Sequence, residues 1–260
     1  MKSLISKFLV TLLFLALGLV GVLAQDGPAH DSEAAEGLDL HAVAELFKDS
    51  ENLESFEHGL NDPEKGINNL DLNENDQVDF IRVTEQVADH THLIVLQVPL
   101  GEDEFQDVAT IAVEQGSGDQ YNLQVQGDPV IYGPDYYFVP AGTGFGAWGV
   151  VRGLFRPSYH PYLSPFGFRT LPRWWGVRHP VALNIYRART GVFVGRRNFV
   201  ASRTFTVRTL NKVNYHARTS TLVTRRTRVT RTTTTKTNTG AKTTTTTTKT
   251  KTHVTRMKRP

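Results

Sequence analysis

The sequence contains no cysteine among its 260 residues. An exported chain of this composition therefore has no disulfide, no thiol nucleophile and no cysteine that could be acylated as in a bacterial lipoprotein. Beyond the amino terminus it also lacks an apolar stretch long enough to span a bilayer. The best candidate, residues 141–155, is rich in glycine and contains Arg152. These absences favour a mature protein that is soluble or peripheral.

Common catalytic motifs are missing as well. Neither a G-x-S-x-G nucleophile elbow nor an H-E-x-x-H zinc motif occurs. The glycine-rich segment at residues 142–146, GTGFG, begins like a phosphate loop. It lacks the third glycine of a dinucleotide motif and the Lys-Ser/Thr pair of a P-loop, so it predicts a flexible link. We therefore assign no catalytic residue.

Acidic residues are absent from the second half of the chain, because all 26 lie at or before Asp135. Residues 25–135 contain 26 acidic and three basic residues, a net charge of −23, whereas residues 136–260 contain 24 basic residues and no acidic one. Solubility alone requires only a surface of mixed sign. The basic half is therefore expected either to bind an anionic envelope surface or polyanion, or to pack on the acidic half. Composition does not choose between them.

The amino terminus has the pattern of an export signal over residues 1–24. Lys2 and Lys7 precede an apolar run, and Val22-Leu23-Ala24 fits a small-residue cleavage site. An uncleaved anchor is the alternative, although the apolar run is shorter than the roughly 20 residues that span a bilayer. A polar, flexible leader is expected over residues 25–37. The protein is thus predicted to be periplasmic, exposed on the outer surface or secreted.

Residues 38–135 have the pattern of an α+β domain. Apolar residues recur at helical spacing after the N-cap residue Asp39, which predicts one broken helix or two short helices over residues 39–60. Strand patterns follow near residues 78–87, 92–98, 108–113, 121–125 and 129–132, separated by short turns. This order predicts an antiparallel meander of three to five strands with one face on the helices.

The basic half divides into two parts. Residues 136–215 mix glycine, proline, aromatic and basic residues, and this composition predicts extended, turn-rich chain with some strand character at 192–194 and 199–207. Its aromatic and arginine side chains could stack on sugar rings, lie at a membrane interface or pack on the acidic domain. Residues 216–260 are dominated by Thr, Lys and Arg, so a disordered tail is expected. Binding of nucleic acid is not expected, because no nucleic-acid fold signature is present.

Several motifs resemble an uncharacterised family of exported bacterial proteins. They are FEHGLNDP at 56–63, GINNLDLN at 66–73, VDFIRV at 78–83, YHPYLSP at 159–165 and the basic threonine-rich end. The resemblance covers most of the mature chain and implies export and this domain order. It implies no activity.

The motif LDLNENDQVDFIR at residues 70–82 contains the one candidate metal site. Oxygen-bearing side chains alternate as in an EF-hand loop, but Arg82 stands where the bidentate Glu would be, and Asp76 replaces the turn glycine. The loop resembles the strand-flanked calcium loops of integrin-type repeats. The predicted ligands of a weak, structural calcium ion are Asp71, Asn73, Asn75, Gln77 and Asp79. The alternative is a polar turn in which Asn and Asp side chains bind the backbone.

Two functions from different classes follow from these patterns. The first is a non-enzymatic envelope protein whose cationic aromatic arm contacts an anionic surface or polymer. The alternative is an envelope glycan hydrolase that uses carboxylates of the acidic domain. Two buried carboxylates facing each other across a cleft near Trp174 and Trp175 would favour the hydrolase.

Overall fold

The structure of the protein is a computed structural model that describes residues 33–118, 120–207, 212–221 and 223, and the backbone of two strands at 230–236 and 242–248. The helices are α1 Glu33–Glu36, α2 Leu40–Asp49, α3 Leu53–Asn61, α4 Pro129–Tyr132, α5 Gly149–Leu154 and α6 Leu183–Val194, with a 3-10 turn at Phe145–Ala147. The strands are β1 Arg82–Ala88, β2 Thr91–Pro99, β3 Phe105–Gln115, β4 Tyr121–Gly127, β5 Tyr137–Pro140, β6 Phe199–Ser202, β7 Thr230–Lys236 and β8 Lys242–Thr248.

An antiparallel sheet of six strands, in the order β1-β2-β3-β4-β5-β6, packs on the amino-terminal helices and confirms the predicted α+β fold. Strand β2 is buried at every residue. One set of its alternating side chains, including Ile94 and Leu96, lies in the core beneath the helices. The opposite set, Leu93 and Val95, packs against Val207 and Val213 of the basic half. The basic half thus covers a sheet face that a free meander would expose to water.

The predicted helical region is two helices, as one of the two expectations stated. Asp39 is the N-cap of α2 and accepts the N–H groups of His41 and Ala42 at 2.9 and 3.2 Å. Helix α3 begins at a capping box formed by Asn52 and Ser55. Such caps satisfy amide groups that the first helical turn leaves without partners. The local sequence therefore determines where both helices begin.

Residues 129–132 form helix α4 rather than a strand. Asp128 caps it through the Val130 N–H at 2.9 Å, and Pro129 occupies the first turn, where its missing N–H does no harm. The Tyr132 ring lies so close to Gly127 that a Cβ there would be 2.6 Å from it. An apolar, β-favouring composition was misleading because an N-cap and a proline preceded it.

The chain beyond Asp135 contributes to the same sheet and core. Strands β5 and β6 extend the sheet, and helix α6 packs on α2. Tyr186 of α6 is buried, donates to the Ile67 carbonyl at 2.8 Å and accepts the Asp39 N–H at 2.6 Å. The expected strand at 192–194 belongs to α6 instead. Residues 199–202 form the predicted strand in part.

The ends of the chain are described only in part. The predicted signal peptide at 1–24 and most of the leader at 25–37 lie outside the described residues, but residues 33–36 form helix α1. In the expected disordered tail, β7 and β8 pair as an antiparallel hairpin. The remaining residues beyond 223 lie outside the described part, so their disorder stays a prediction.

Candidate functional site

The predicted calcium loop lies between α3 and β1, and its side chains bind the backbone of the loop itself. The Asp71 carboxylate accepts the N–H groups of Asn75 at 3.1 Å and Asp76 at 2.9 Å. The Asn75 side chain accepts the Gln77 N–H at 2.9 Å, while the Gln77 side chain is exposed. Side chains that bind nearby backbone N–H groups are what the alternative interpretation, a polar turn, predicts, and the contact from Asn75 to Gln77 is an Asx turn.

The second carboxylate of the loop closes it from the other end. Asp79 accepts the Leu72 N–H at 2.6 Å and the Asn73 side-chain amide at 3.2 Å. Glu74 and Asp76 have φ angles of 55° and 62°, a left-handed conformation that Asp and Asn tolerate better than most residues. A calcium ion would compete with the N–H donors for the oxygens of Asp71 and Asp79.

Calcium binding at this loop stays a prediction. In the part of the chain that the structure describes, no group of three or more His, Cys, Asp or Glu residues is arranged to hold a metal ion. That finding does not address the loop, whose predicted ligands are two carboxylates and three amides.

Four buried carboxylates of the acidic half bind the basic half. Glu45, Glu57 and Asp107 are at most 2% exposed, and the Glu85 side chain is 0% exposed. Each accepts hydrogen bonds from neutral groups located between residues 159 and 218. We call these four carboxylates and their partners the carboxylate interface. Buried carboxylates need such donors, because burying an unpaired charge is strongly unfavourable.

Glu85 is at the centre of the carboxylate interface. One oxygen accepts the Tyr159 hydroxyl at 2.5 Å and the Tyr162 N–H at 2.7 Å. The other oxygen lies 2.6 Å from Nδ1 of the buried His92. Burial and the contact with Glu85 raise the pKa of Tyr159 well above its usual value. Both tyrosines belong to the YHPYLSP motif, so this motif docks on strand β1.

Glu57 of helix α3 binds the same YHPYLSP motif. It accepts the Val83 N–H at 2.6 Å and the Tyr162 hydroxyl at 3.3 Å, and Ser164 adds a side-chain hydrogen bond. Burial raises the pKa of Glu57, while these hydrogen bonds and the nearby Arg82 oppose the rise. The Glu57 and Glu85 carboxylates are therefore bound by donors of their own chain. Because both are bound by tyrosines instead of facing an open cleft, they do not form the arrangement that would favour the glycan hydrolase, which stays a prediction.

Asp107 and Glu45 bind two further parts of the basic half. Asp107 accepts the Tyr215 hydroxyl at 2.6 Å and the Arg218 backbone N–H at 2.8 Å. Burial raises the pKa of Asp107, and these donors oppose the rise. Glu45 accepts the backbone and side-chain N–H groups of Asn198, both at 2.8 Å. The second contact fixes the chain immediately before strand β6.

Ion pairs between the two halves are fewer than the hydrogen bonds of the carboxylate interface, and they are exposed to solvent. Among the described residues, Arg and Lys side chains of the basic half form four: Arg169–Glu102 at 3.9 Å, Arg187–Glu36 at 3.0 Å, Lys212–Asp89 at 3.1 Å, and Arg196–Asp49. Their side chains are 36–85% exposed. Such pairs contribute about 0–1 kcal/mol each. Seven exposed arginines have no ion pair with any described residue: Arg152, Arg156, Arg173, Arg189, Arg197, Arg203 and Arg218.

A cleft opens beside the carboxylate interface, between Arg82 and the turn at residues 164–170. Its volume is about 370 Å³. We call it the Arg82 cleft, and it is lined by Arg82, Glu102, Phe105, Ser164, Pro165, Phe166, Gly167, Phe168, Arg169 and Thr170. Burial lowers the pKa of Arg82 below its usual value. The Glu57 carboxylate opposes this change, and the Arg218 guanidinium adds to it.

The tryptophans of the basic half pack in part on the acidic half. Trp175 contacts Phe80 edge-on with ring centroids 5.2 Å apart, and the Arg178 guanidinium lies 4.2 Å from its centroid. Trp174 lies 4.4 Å from the His58 ring and remains 43% exposed. Packing on the acidic domain, one of the three expectations for these aromatics, therefore accounts for Trp175 better than for Trp174.

Sequence reasoning did not single out the buried carboxylates, Arg82 or the cleft. A weak signal was present on α3, where Glu57 lies four residues from both Leu53 and Asn61 and all three are buried. A glutamate in line with the buried face of a helix is unusual and needs a partner. No comparable pattern marks Glu85 or Asp107.

No protein family model matches the chain, and neither a curated protein nor a solved structure is similar to it. Within the ranges described above, none of the helices combines the length and the apolar character needed to cross a membrane.

Proposed function

We propose that the protein is an exported, non-enzymatic module of the cell envelope whose basic half binds an anionic polymer. The observation that carries the proposal is how the two halves are joined. The donors of the carboxylate interface are tyrosine hydroxyls, backbone N–H groups and an asparagine side chain. The buried carboxylates are therefore bound without the guanidinium groups of the basic half.

The exposed arginines without an ion pair are the second observation that supports the proposal. If the segregated charges served only to join the halves, the arginines would be expected to pair with the carboxylates that the interface buries. Seven exposed arginines instead form no ion pair with a described residue, although one of them, Arg218, lowers the pKa of Asp107 through its charge. An exposed field of one sign attracts polyanions and falls off with ionic strength over a Debye length of about 8–10 Å.

The sequence of the tail supports the same function. Residues 216–260 contain basic residues at frequent intervals and no acidic residue. They add positive charge to the same half without a carboxylate that would neutralise it nearby in sequence. The export signal pattern at residues 1–24 supports a location in the cell envelope.

The test is binding of the mature chain, from Gln25 to Pro260, to polygalacturonate and to neutral dextran. We expect binding to polygalacturonate at 50 mM salt that weakens steeply towards 500 mM, and no binding to dextran. A variant with Arg152, Arg156 and Arg203 changed to Gln removes three positive charges and should bind polygalacturonate more weakly, with a smaller salt dependence. Equal retention on both polymers, or no binding at low salt, would contradict the proposal.

A further inference from the structure

The Arg82 cleft contains a guanidinium whose charge the described residues neutralise only in part. The Arg82 side chain is half-buried, and its Nε atom is buried and has no hydrogen-bond partner among the residues that the structure describes. No carboxylate of the described residues forms an ion pair with it. Glu57 is near, but its oxygens accept hydrogen bonds from Val83, Ser164 and Tyr162. A partly buried guanidinium in this condition favours an anion from outside.

A second guanidinium lies near the first. Arg82 and Arg218 both lie 5.1 Å from the centroid of the Phe105 ring. The ring attracts each cation through its π-system, but the two like charges repel each other. A bound anion would relieve that repulsion and the desolvation of Arg82 together.

The remaining wall of the cleft combines the rings of Phe105, Phe166 and Phe168 with polar side chains, among them the exposed carboxylate of Glu102. Phe166 packs edge-on against Phe80 with ring centroids 5.6 Å apart, whereas Phe168 is 43% exposed. The intervening turn is closed by reciprocal backbone hydrogen bonds between Gly167 and Thr170, at 3.0 and 3.2 Å. A preformed turn lowers the entropy lost on binding. Aromatic faces beside a cation suit a ring that carries both an apolar face and an anionic group.

We infer that the Arg82 cleft binds the carboxylate of an acidic sugar, one or two residues of the anionic polymer, with the Arg82 guanidinium as a bidentate partner and Phe168 against the sugar ring. This inference rests on the proposed function and assigns it a specific site. The cleft volume of about 370 Å³ suits a small ligand, since small-molecule sites span about 300–1,000 Å³. Arg169 also lines the cleft, where its guanidinium lies 5.7 Å from the centroid of the Phe168 ring and 3.9 Å from Glu102.

Calorimetric titration of the mature chain with digalacturonate tests the site. Arg82→Met keeps the apolar stem and removes the charge, and it should weaken binding by about tenfold or more, because hydrogen bonds to charged groups are strong. Arg82→Lys should recover only part of the affinity, because an ammonium cannot bind a carboxylate through a planar fork. Phe168→Ala, which removes a ring that is 43% exposed, should also weaken binding. Arg187→Met, at an exposed arginine that lies outside the cleft and pairs with Glu36, is the matched control and should bind digalacturonate as the wild type does.

Two neutral or inorganic probes complete the design. Digalactose should not bind, and inorganic phosphate should bind more weakly than digalacturonate. Equal affinity for phosphate, or equal losses in Arg82→Met and Arg187→Met, would overturn the inference. If polygalacturonate still binds in a salt-dependent manner in that case, the proposed function stands and only this site fails. If the polymer does not bind but digalacturonate does, the site stands and the polymer-binding function fails.

Discussion

Replacing Glu85 by Gln is the most demanding test of the carboxylate interface. Both oxygens of Glu85 accept hydrogen bonds, from Tyr159 and Tyr162 on one side and from His92 on the other. A glutamine keeps one oxygen for Tyr159 and Tyr162, but it places an NH₂ group toward His92 and removes the negative charge that strengthens these contacts. Hydrogen bonds to charged groups contribute about 1.5–3 kcal/mol each. We therefore expect the free energy of unfolding to fall by about 2–4 kcal/mol.

Glu102→Gln makes the same chemical change in a carboxylate that contacts the basic half by ion pairing. Glu102 lies 3.9 Å from Arg169, and the two side chains are 85% and 78% exposed. Its substitution should change the free energy of unfolding by no more than about 0.5 kcal/mol. Urea unfolding followed by tryptophan fluorescence is the assay, because all three tryptophans lie in the basic half. A loss in Glu102→Gln equal to that in Glu85→Gln, or a loss in Glu85→Gln that disappears in 1 M salt, would refute the reasoning.

Three further predictions concern other parts of the molecule. Burial raises the pKa of Asp128 from 3.8 to about 7, so the folded state binds this proton more tightly than the unfolded state and stability falls as the pH rises from about 4 to 7. Asp128→Asn still offers an oxygen to Val130 but cannot ionise. Urea unfolding should therefore show this variant to be more stable than the wild type at pH 8, by up to about 4 kcal/mol, and similar to it at pH 4. An equal difference at both pH values would contradict this prediction. Gly127→Ala would place a Cβ 2.6 Å from the Tyr132 ring and should destabilise the protein by about 1–3 kcal/mol in the same assay, and an unchanged midpoint would show that the ring can move. If loop 71–79 binds calcium, millimolar calcium should raise the melting temperature of the wild type and of the control variant Asp103→Ala but not of Asp71→Ala, whereas an unchanged wild-type melt would remove the calcium hypothesis.

The local signals in the sequence predicted the acidic half well. Helices α2 and α3 have apolar residues at helical spacing and end at recognisable caps, and Asp39 is the N-cap of α2 as predicted. Strands β2 to β4 are long apolar runs separated by short turns. These features are local, so the sequence around each element determines it.

The basic half was harder to predict because its structure depends on distant partners. Helix α6 buries only Tyr186 and Thr190, so it has no apolar stripe that a periodic pattern could reveal. Strand β5 has four residues and is formed by pairing with β4 and β6. A short segment without a strong local preference takes its structure from the surface on which it packs.

The candidate site was predicted least, since its chemistry comes from contacts between residues far apart in the chain. Glu85 and Tyr159 are separated by 74 positions, and Glu45 and Asn198 by 153. In a sequence with 26 acidic residues, only Glu57 has a local signal of burial, from its position in line with the buried face of α3. The loop at 71–79, by contrast, was visible in the sequence because its polar residues alternate within nine positions, and the hydrogen bonds of Asp71 and Asp79 lie inside that segment. Its binding of calcium stays a prediction.

The central claim is that neutral donors join the two halves and leave the arginines available for an anionic polymer. A salt series on one preparation of the mature chain tests it most directly, with unfolding by urea and binding of polygalacturonate measured at each concentration from 50 to 500 mM. We predict that the free energy of unfolding stays within about 1 kcal/mol while the binding constant falls steeply. A free energy of unfolding that falls with salt, beside binding that does not, would contradict the account.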